Sequence, residues 1–329
     1  MEIRKATSED MPSIISLLKA SLGEGLMPKS AGYWQWKHEQ NPFGTSPVLI
    51  ATEDDKIIGV RAFMRWRWLK GDQCLESIRA VDTATHPLHQ GKGIFSKLTK
   101  ALLDECREKG WHFVFNTPNE KSKPGYLKMG WQEAGKLPVN LRMVRPFHAI
   151  ANVAFKNAET LQEKDNGSVV HYLSHPGLSQ LISDNRKHYH NRIVTDHTVD
   201  SLRWRYENVP VAQYFAAATE GQGKLFNLFF YRIKPTRIGR ELRITDFYIT
   251  TDQDFDAIRR LVKQKMKEHK ADYATSSSFS ALNILKGGLS IARVKIGPIV
   301  TVRNVNLHDL HSHINFSEWS PSLGDLELF

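Results

Sequence analysis

Cysteine is scarce in these 329 residues: Cys74 and Cys106 are the whole complement. Two thiols cannot build a disulfide framework, and alone they cannot ligate a structural zinc. No apolar run approaches the ~18 residues of a membrane span. The opening, Met1 to Asp10, lacks the basic-then-apolar order of a secretory signal. These absences predict a cytoplasmic protein with no membrane span. A concentrated basic stripe, the usual footprint of nucleic-acid binding, is also missing. The net charge of +10 is instead spread along the chain. That favours an anionic small-molecule ligand over nucleic acid. His311 and His313 have no Cys or Asp at ligand spacing, so no metal is expected.

What is present is ordinary globular composition, 41% hydrophobic and 24% charged. The length suggests about two domains, each large enough to bury its own core. Glu2 to Ala6 reads as a short strand, followed by a helix capped at Thr7 or Ser8 with Ile14, Leu17, Leu18 and Leu22 inward. A second helix is expected over Tyr33 to Gln40, stopping before Pro42. Strands follow at Val48 to Glu53, Lys56 to Arg67 and Glu76 to Thr85. Ile94, Leu98, Leu102 and Cys106 then recur every four residues, predicting a helix that ends at Lys109-Gly110. Trp111 to Phe115 reads as a buried strand, and Lys123 to Lys128 as a short helix before Gly130.

The second half echoes the first. Tyr33 to Pro42 aligns with Ser201 to Pro210, so that Trp36 meets Trp204 and Lys37 meets Arg205. Ala51-Thr52-Glu53 matches Ala218-Thr219-Glu220, and Asp82 falls opposite Asp246. Leu127 to Gly130 faces Ile284 to Gly287. Four matches in one order predict two diverged copies of one α/β unit: 1–145, a linker over 146–166, and 167–329.

The chemistry concentrates between Val81 and Lys97. A strand runs into Gln90-Gly91-Lys92-Gly93, and a helix starts at once. Glycines let the backbone turn sharply and present N–H groups, and a helix N-terminus adds partial positive charge. Lys92 adds a full charge. The combination suits a pyrophosphate, although neither the P-loop nor the dinucleotide-binding spacing is present. Asn119, Tyr126, Gly130 and Trp131 follow after the next strand.

Together these residues resemble the GNAT N-acetyltransferase superfamily over roughly residues 1 to 145. The family's loop reads Gln/Arg-x-x-Gly-x-Gly/Ala; Gln90, Gly93 and Phe95 take those places, and Phe95 departs from the small residue usual there. The resemblance implies a tandem fold, α/β (α+β), with a mixed, mostly antiparallel sheet flanked by helices in each copy. It also implies acetyl-CoA as co-substrate, held by Val81, Thr83, Gln90, Gly91, Lys92, Gly93, Ile94, Phe95 and Asn119. Tyr126 matches the family's general acid, since a phenol with an ordinary pKa of about 10 can protonate a thiolate. Read from the residues alone, Tyr126 is either that acid or a packed aromatic. Asp82 is either the base or a structural carboxylate paired with Arg79 or Arg243. Ordered water aided by Glu76 or His86 is the alternative base.

The second copy lacks the loop: Thr251-Asp252-Gln253-Asp254 has no glycine and places carboxylates where N–H donors are needed. Its counterpart to Tyr126 falls near Asn283, which is no acid. It is expected not to bind acetyl-CoA. The apolar tail Trp319 to Phe329 is expected to pack between the copies, with the Phe329 carboxylate a minor candidate base. The expected activity is acetyl transfer to a primary amine of a small molecule, an amino sugar of surface-polysaccharide synthesis being the leading acceptor. The expected state is a monomer or homodimer. The rivals are another acyl or aminoacyl transferase and a non-catalytic acyl-CoA-binding module.

Overall fold

The computed structural model describes residues 1–23, 28–148, 167–251, 254–277, 285, 289–294, 296–308 and 315–327. The expected linker beyond residue 148, Asp252, Gln253, Asn283, His311, His313 and Phe329 lie outside them. The first half runs β1 (Glu2–Lys5), α1 (Met11–Leu22), α2 (Ala31–His38), β2 (Val48–Glu53), β3 (Lys56–Lys70) and β4 (Gln73–Thr85). It continues through α3 (Ile94–Glu108), β5 (Phe113–Asn116), α4 (Lys123–Lys128), β6 (Gln132–Lys136) and β7 (Val139–Met143). The second half runs α5 (Ser168–Leu173), α6 (Leu178–His188), β8 (Ile193–Thr195), α7 (Val199–Leu202), β9 (Phe215–Gly221) and β10 (Lys224–Thr236). After β11 (Gly239–Ile249) come α8 (Asp254–Glu268), β12 (Tyr273–Ser277), β13 (Leu289–Val294), β14 (Ile299–Asn304) and α9 (Leu323–Leu326).

Local chemistry accounts for the early elements. Asp54 and Asp55 both take positive φ, the conformation a two-residue turn needs to match the twist of β2 and β3. Ser30 caps α2 by accepting a hydrogen bond from the Tyr33 N–H. Gly59 in β3 lets α3 sit close on the sheet: a Cβ there would meet Ile94 at 2.6 Å. β3 and β4 are longer than the sequence pattern suggests, because their hairpin continues to Gly71.

Two mixed, mostly antiparallel sheets result. One has the order β1-β2-β3-β4-β5-β14-β6, with β8 pairing the end of β3; the other is β13-β7-β12-β11-β10-β9. Among the described residues, the only parallel pairings between named strands are β4 with β5 and β11 with β12. They occupy corresponding places, Ser77–Arg79 against Phe113–Phe115 and Glu241–Arg243 against Tyr273–Thr275. The repeat in the sequence is therefore a repeat in the fold.

The two units are not separable at residue 145. β14 enters the first sheet between β5 and β6, and β7 enters the second between β12 and β13. Each half thus lends its last strand to the other. The largest core cluster spans both halves, uniting Trp36, Trp66, Trp68, Phe115, Trp204, Phe230 and Trp319. Burying each such side chain contributes about 1.5–3 kcal/mol. Trp36 and Trp204 sit at its centre, stacked at 4.5 Å. Each indole N–H donates to the other's backbone carbonyl at 2.8 Å. The sequence alignment that paired these two tryptophans marks a local two-fold axis. Separate clusters hold α3 on the first sheet and α8 on the second, where Phe255, Ile258, Val262 and Met266 face inward as their spacing implies.

Candidate active site

β4 and β5 pair only as far as Arg79 and Phe115, and then diverge. Beyond that point β4 is bonded to β3 on one side and has an open edge on the other. The register slips at the same place: Arg61 faces Thr83 and Ala62 faces Val81, leaving Asp82 as the extra residue of a bulge, with φ +38°. A bulge takes a residue out of the ladder and re-aims its neighbours. The period-2 alternation of an unbroken strand therefore does not hold across Val81, Asp82 and Thr83.

The glycine loop lies at the end of this strand. Gly91 and Gly93 have φ of +77° and +75°, and a Cβ on either would meet nothing within 4 Å. Gly93 is the N-cap of α3, and no side chain caps that helix. Gln90, Gly91, Lys92 and Gly93 are exposed. An open, uncapped helix start beside two glycines and a lysine fits the diphosphate of an acyl-CoA. Ile94 is buried in the α3 core, so only its backbone is available to such a ligand. Asn119 is occupied locally: its side-chain oxygen accepts from the N–H groups of Lys121 and Ser122, organising the start of α4.

Asp82 is not paired with Arg79 or Arg243. Its Oδ2 accepts from Lys37 Nζ and lies against His38 Nε2, both at 2.8 Å. Lys37 and His38 are themselves buried, on the last turn of α2. Burial alone would raise the Asp82 carboxyl; the charge of Lys37 and the His38 hydrogen bond outweigh it and hold the group well below the usual carboxylate range. Burial lowers His38, only partly offset by Asp82, so its imidazole is neutral near pH 7. A carboxylate held this way is a weak proton acceptor. Arg79 instead donates to the carbonyls of Asp325, at 2.7 Å, and Leu326, while Arg243 pairs with Glu241 and Glu327.

A cavity of about 480 Å³ opens at the divergence of β4 and β5. Lys29, Lys37, Arg79 and Lys234 line it against Asp82 and Glu327, giving an excess of positive charge. On the α3–α4 side of β4 lies Tyr126, also buried. Its hydroxyl is 2.9 Å from Arg61 Nη1, and its ring meets Phe95 and Trp131 edge-on. Phe95, which stands where the family usually has a small residue, fills space between Tyr126, Gly125 and Arg61.

The corresponding place in the second half is closed. Tyr206, opposite His38 in the repeat, bonds to Asp246. His197 lies 3.3 Å from Asp325 and 3.9 Å from Asp246, and these three side chains could also surround a cation. The segment Ser320–Asp325 fills the space, leaving a cavity of about 70 Å³. Trp319 packs on Trp68 and Phe113 in the first half, so the tail does lie between the copies.

Sequence reasoning missed Lys37 and His38 as members of the site, and Arg61 altogether. A charge in the middle of the apolar run Ile57 to Phe63 was the available signal for Arg61.

The chain is similar to known proteins in sequence and in fold. Residues 2–134 match the model of the acetyltransferase (GNAT) domain. Over these residues the chain is similar to the GNAT acetyltransferase superfamily. The L-amino acid N-acyltransferase MnaT of Escherichia coli is 30% identical over 95 residues, 28% of this chain and 54% of that protein. The L-methionine sulfoximine/L-methionine sulfone acetyltransferase of Salmonella typhimurium is 36% identical over 95 residues, with the same coverage. The chain thus spans about half the length of the curated relatives it matches. A GCN5-related N-acetyltransferase from Anabaena variabilis shares the fold over 93% of this chain and 73% of its own, with a TM-score of 0.66 at 16% identity. The likeness of fold extends over both halves. No helix among the described residues is long and apolar enough to cross a membrane.

Proposed function

We propose that the protein transfers an acetyl group from acetyl-CoA to a primary amine of a small molecule that also carries an anionic group. The observation that carries this reading is the diverged β4–β5 pair, with the glycine loop on α3 at one end and the cationic cavity at the other. The acyl-CoA diphosphate would rest on the N–H groups from Gly91 to Phe95, with Lys92 beside it. Its amide-bearing arm would lie along the open edge of β4 at Val81 and Thr83, as an added strand does. The acceptor would enter the cavity lined by Lys29, Lys37, Arg79 and Lys234. Attack of a neutral amine on the thioester carbonyl develops an oxyanion, which a peptide N–H freed from the ladder at the bulge stabilises. Tyr126 donates its proton to the departing thiolate. Asp82 holds Lys37 in place, and the amine proton leaves through water.

The named relatives act on L-amino acids and on methionine sulfoximine or sulfone. A carboxylate from an amino acid and a phosphate from a nucleotide-linked amino sugar both suit four cations facing two carboxylates. The two halves meet at one cleft, to which the second contributes Lys234, Leu326 and Glu327. An acyl-CoA-binding module without catalysis is the second reading, favoured by the buried state of Tyr126. The test is a thermal shift with acetyl-CoA, followed by thiol release with α-amino acids and amino-sugar phosphates. Acetyl-CoA is expected to raise the Tm, and Gly93→Trp to abolish the rise. No shift at saturating acetyl-CoA would refute the proposal, and a shift without thiol release for any amine would leave the binding module.

A further inference from the structure

Arg61 is a charged residue in the wrong place for stability. It is 0% exposed, in the middle of β3. Among the described residues no carboxylate pairs with it, and its Nε and Nη2 have no hydrogen-bond partner. The rings of Phe63, Phe95 and Tyr126 surround the guanidinium at 4.8, 5.3 and 5.2 Å. Ring faces attract a cation but supply only a fraction of what water would. Its Nη1 goes to two hydroxyls, Thr83 Oγ1 and, at 2.9 Å, Tyr126 Oη. A buried cation with two idle donors costs free energy that a leucine or methionine of similar bulk would not. Packing alone does not explain it.

The hydrogen-bond inventory gives it a use. Arginine has only donors, so the Tyr126 oxygen is the acceptor in this contact. The hydroxyl proton of Tyr126 must then point away from Arg61, toward whatever lies at the open side of the phenol. Thr83 is constrained in the same way: its oxygen accepts from Arg61, and its own proton turns toward the Val81 carbonyl at 3.5 Å. Arg61 therefore fixes the direction of two hydroxyl protons on the strand and helix that border the split. When the Tyr126 O–H bond breaks and its proton forms the S–H bond of the departing thiol, the phenol oxygen keeps the electron pair and becomes an anion. That anion forms 2.9 Å from a guanidinium, and the buried charge of Arg61 is matched for the first time.

We infer that Arg61 is a positioning residue for proton donation: it aims the Tyr126 hydroxyl outward and compensates the phenolate left behind. The inference rests on the acyl-transfer reading, with Tyr126 as the acid. Phe95 belongs to the same arrangement. Its ring covers the guanidinium and touches Tyr126, so the departure from a small residue in the loop accompanies the arginine beneath it.

A double-mutant cycle of Arg61→Met and Tyr126→Phe tests this, with kcat measured for acetyl-CoA and the fastest amine of the amino-acid and amino-sugar-phosphate panel. In the native background Arg61→Met should lower kcat about 10- to 100-fold, with the acetyl-CoA thermal shift and KM unchanged within about twofold. In the Tyr126→Phe background it should cost less than about threefold, because the group it acts through is already gone. Arg61→Lys, which keeps one cationic donor, should recover at least a third of the native kcat. Arg61→Leu takes the place of methionine in the cycle if that variant does not fold. An equal loss in both backgrounds, or no loss in the native one, overturns the role of Arg61 while leaving acyl transfer intact. If Tyr126→Phe keeps full activity, or no amine is acetylated, the underlying reading falls and this inference with it.

Discussion

The two halves place matching residues at matching points and do different things with them. In the first, Asp82 lies between Lys37 and His38, and the space beside it is open, about 480 Å³. In the second, Asp246 lies against Tyr206 and His197, and the tail closes the space to about 70 Å³. Both halves keep the parallel strand pair, the helix that connects its two strands and the tryptophan at the axis. The difference teaches that the fold alone does not make the site. A site needs the split left vacant and a ligand-ready loop at its end, and only the first half has both among the described residues.

The strongest way to break this comparison is at the helix starts. Gly93→Trp should remove the acetyl-CoA thermal shift entirely. A tryptophan at Asp256, an exposed residue on the first turn of α8, should leave the shift intact. Equal losses would mean that the second half binds the ligand too.

Next in size is the axis itself. Trp36→Ala and Trp204→Ala should each cost about 3–5 kcal/mol in chemical denaturation, and the double variant clearly less than the sum, since both lose the same stack and reciprocal hydrogen bonds. A large loss from one and almost none from the other would show that the axis is sequence coincidence.

A smaller effect separates the cations that face each aspartate. Lys37→Met should raise the KM of an anionic acceptor about tenfold, roughly 1.4 kcal/mol, without changing that of acetyl-CoA. Arg205→Met should change the acceptor KM less than Lys37→Met does, because Arg205 donates to the carbonyls of Gly324 and Glu327 and reaches the cavity only through the tail.

The smallest expected effect is on pH dependence, and its sign differs between the halves. Burial lowers His38, so the unfolded chain takes up a proton more readily, and stability falls as pH drops below about 6.5. His197 is raised: burial opposes its charge, but Asp325 and Asp246 outweigh it. Its contribution is complete below about 6.5 and is lost as pH rises through its folded value. Tm measured from pH 5 to 8 should therefore lose its acid-side decline in His38→Asn and its alkaline-side decline in His197→Asn. Asp82 and Lys37 stay ionised throughout that window, the first shifted down and the second up.

Much of the fold was legible because local signals carried it. Asp54-Asp55, the four-residue spacing of Ile94 to Cys106 and the glycines at 91 and 93 each specify a conformation without help from distant residues. The tandem repeat was legible because Trp36 and Trp204 do the same work on either side of one axis. The partners of Asp82 were not, since Lys37 and His38 lie far away in sequence and no local rule brings the end of α2 to β4. Arg79 looked like an ion-pair partner, but it serves backbone carbonyls of the tail, which have no signature in a sequence. The exchange of β7 and β14 was also hidden: Val139–Met143 carries an apolar pattern that would fit either sheet, and register with β12 and β13 is decided only when both exist.

That exchange sets the order in which the molecule can be made. The first sheet lacks its penultimate strand until Ile299–Asn304 has been synthesised, so β5 and β6 have no intervening partner while most of the second half is still being translated. The first half cannot finish folding ahead of its companion, and contacts this distant in sequence close slowly. During that interval β5 offers an unpaired edge, with Phe113 and Phe115 flanking it, to any other strand nearby. The lent strands thus make the two halves a single cooperative unit, in which the second half acts as the first's obligatory folding partner.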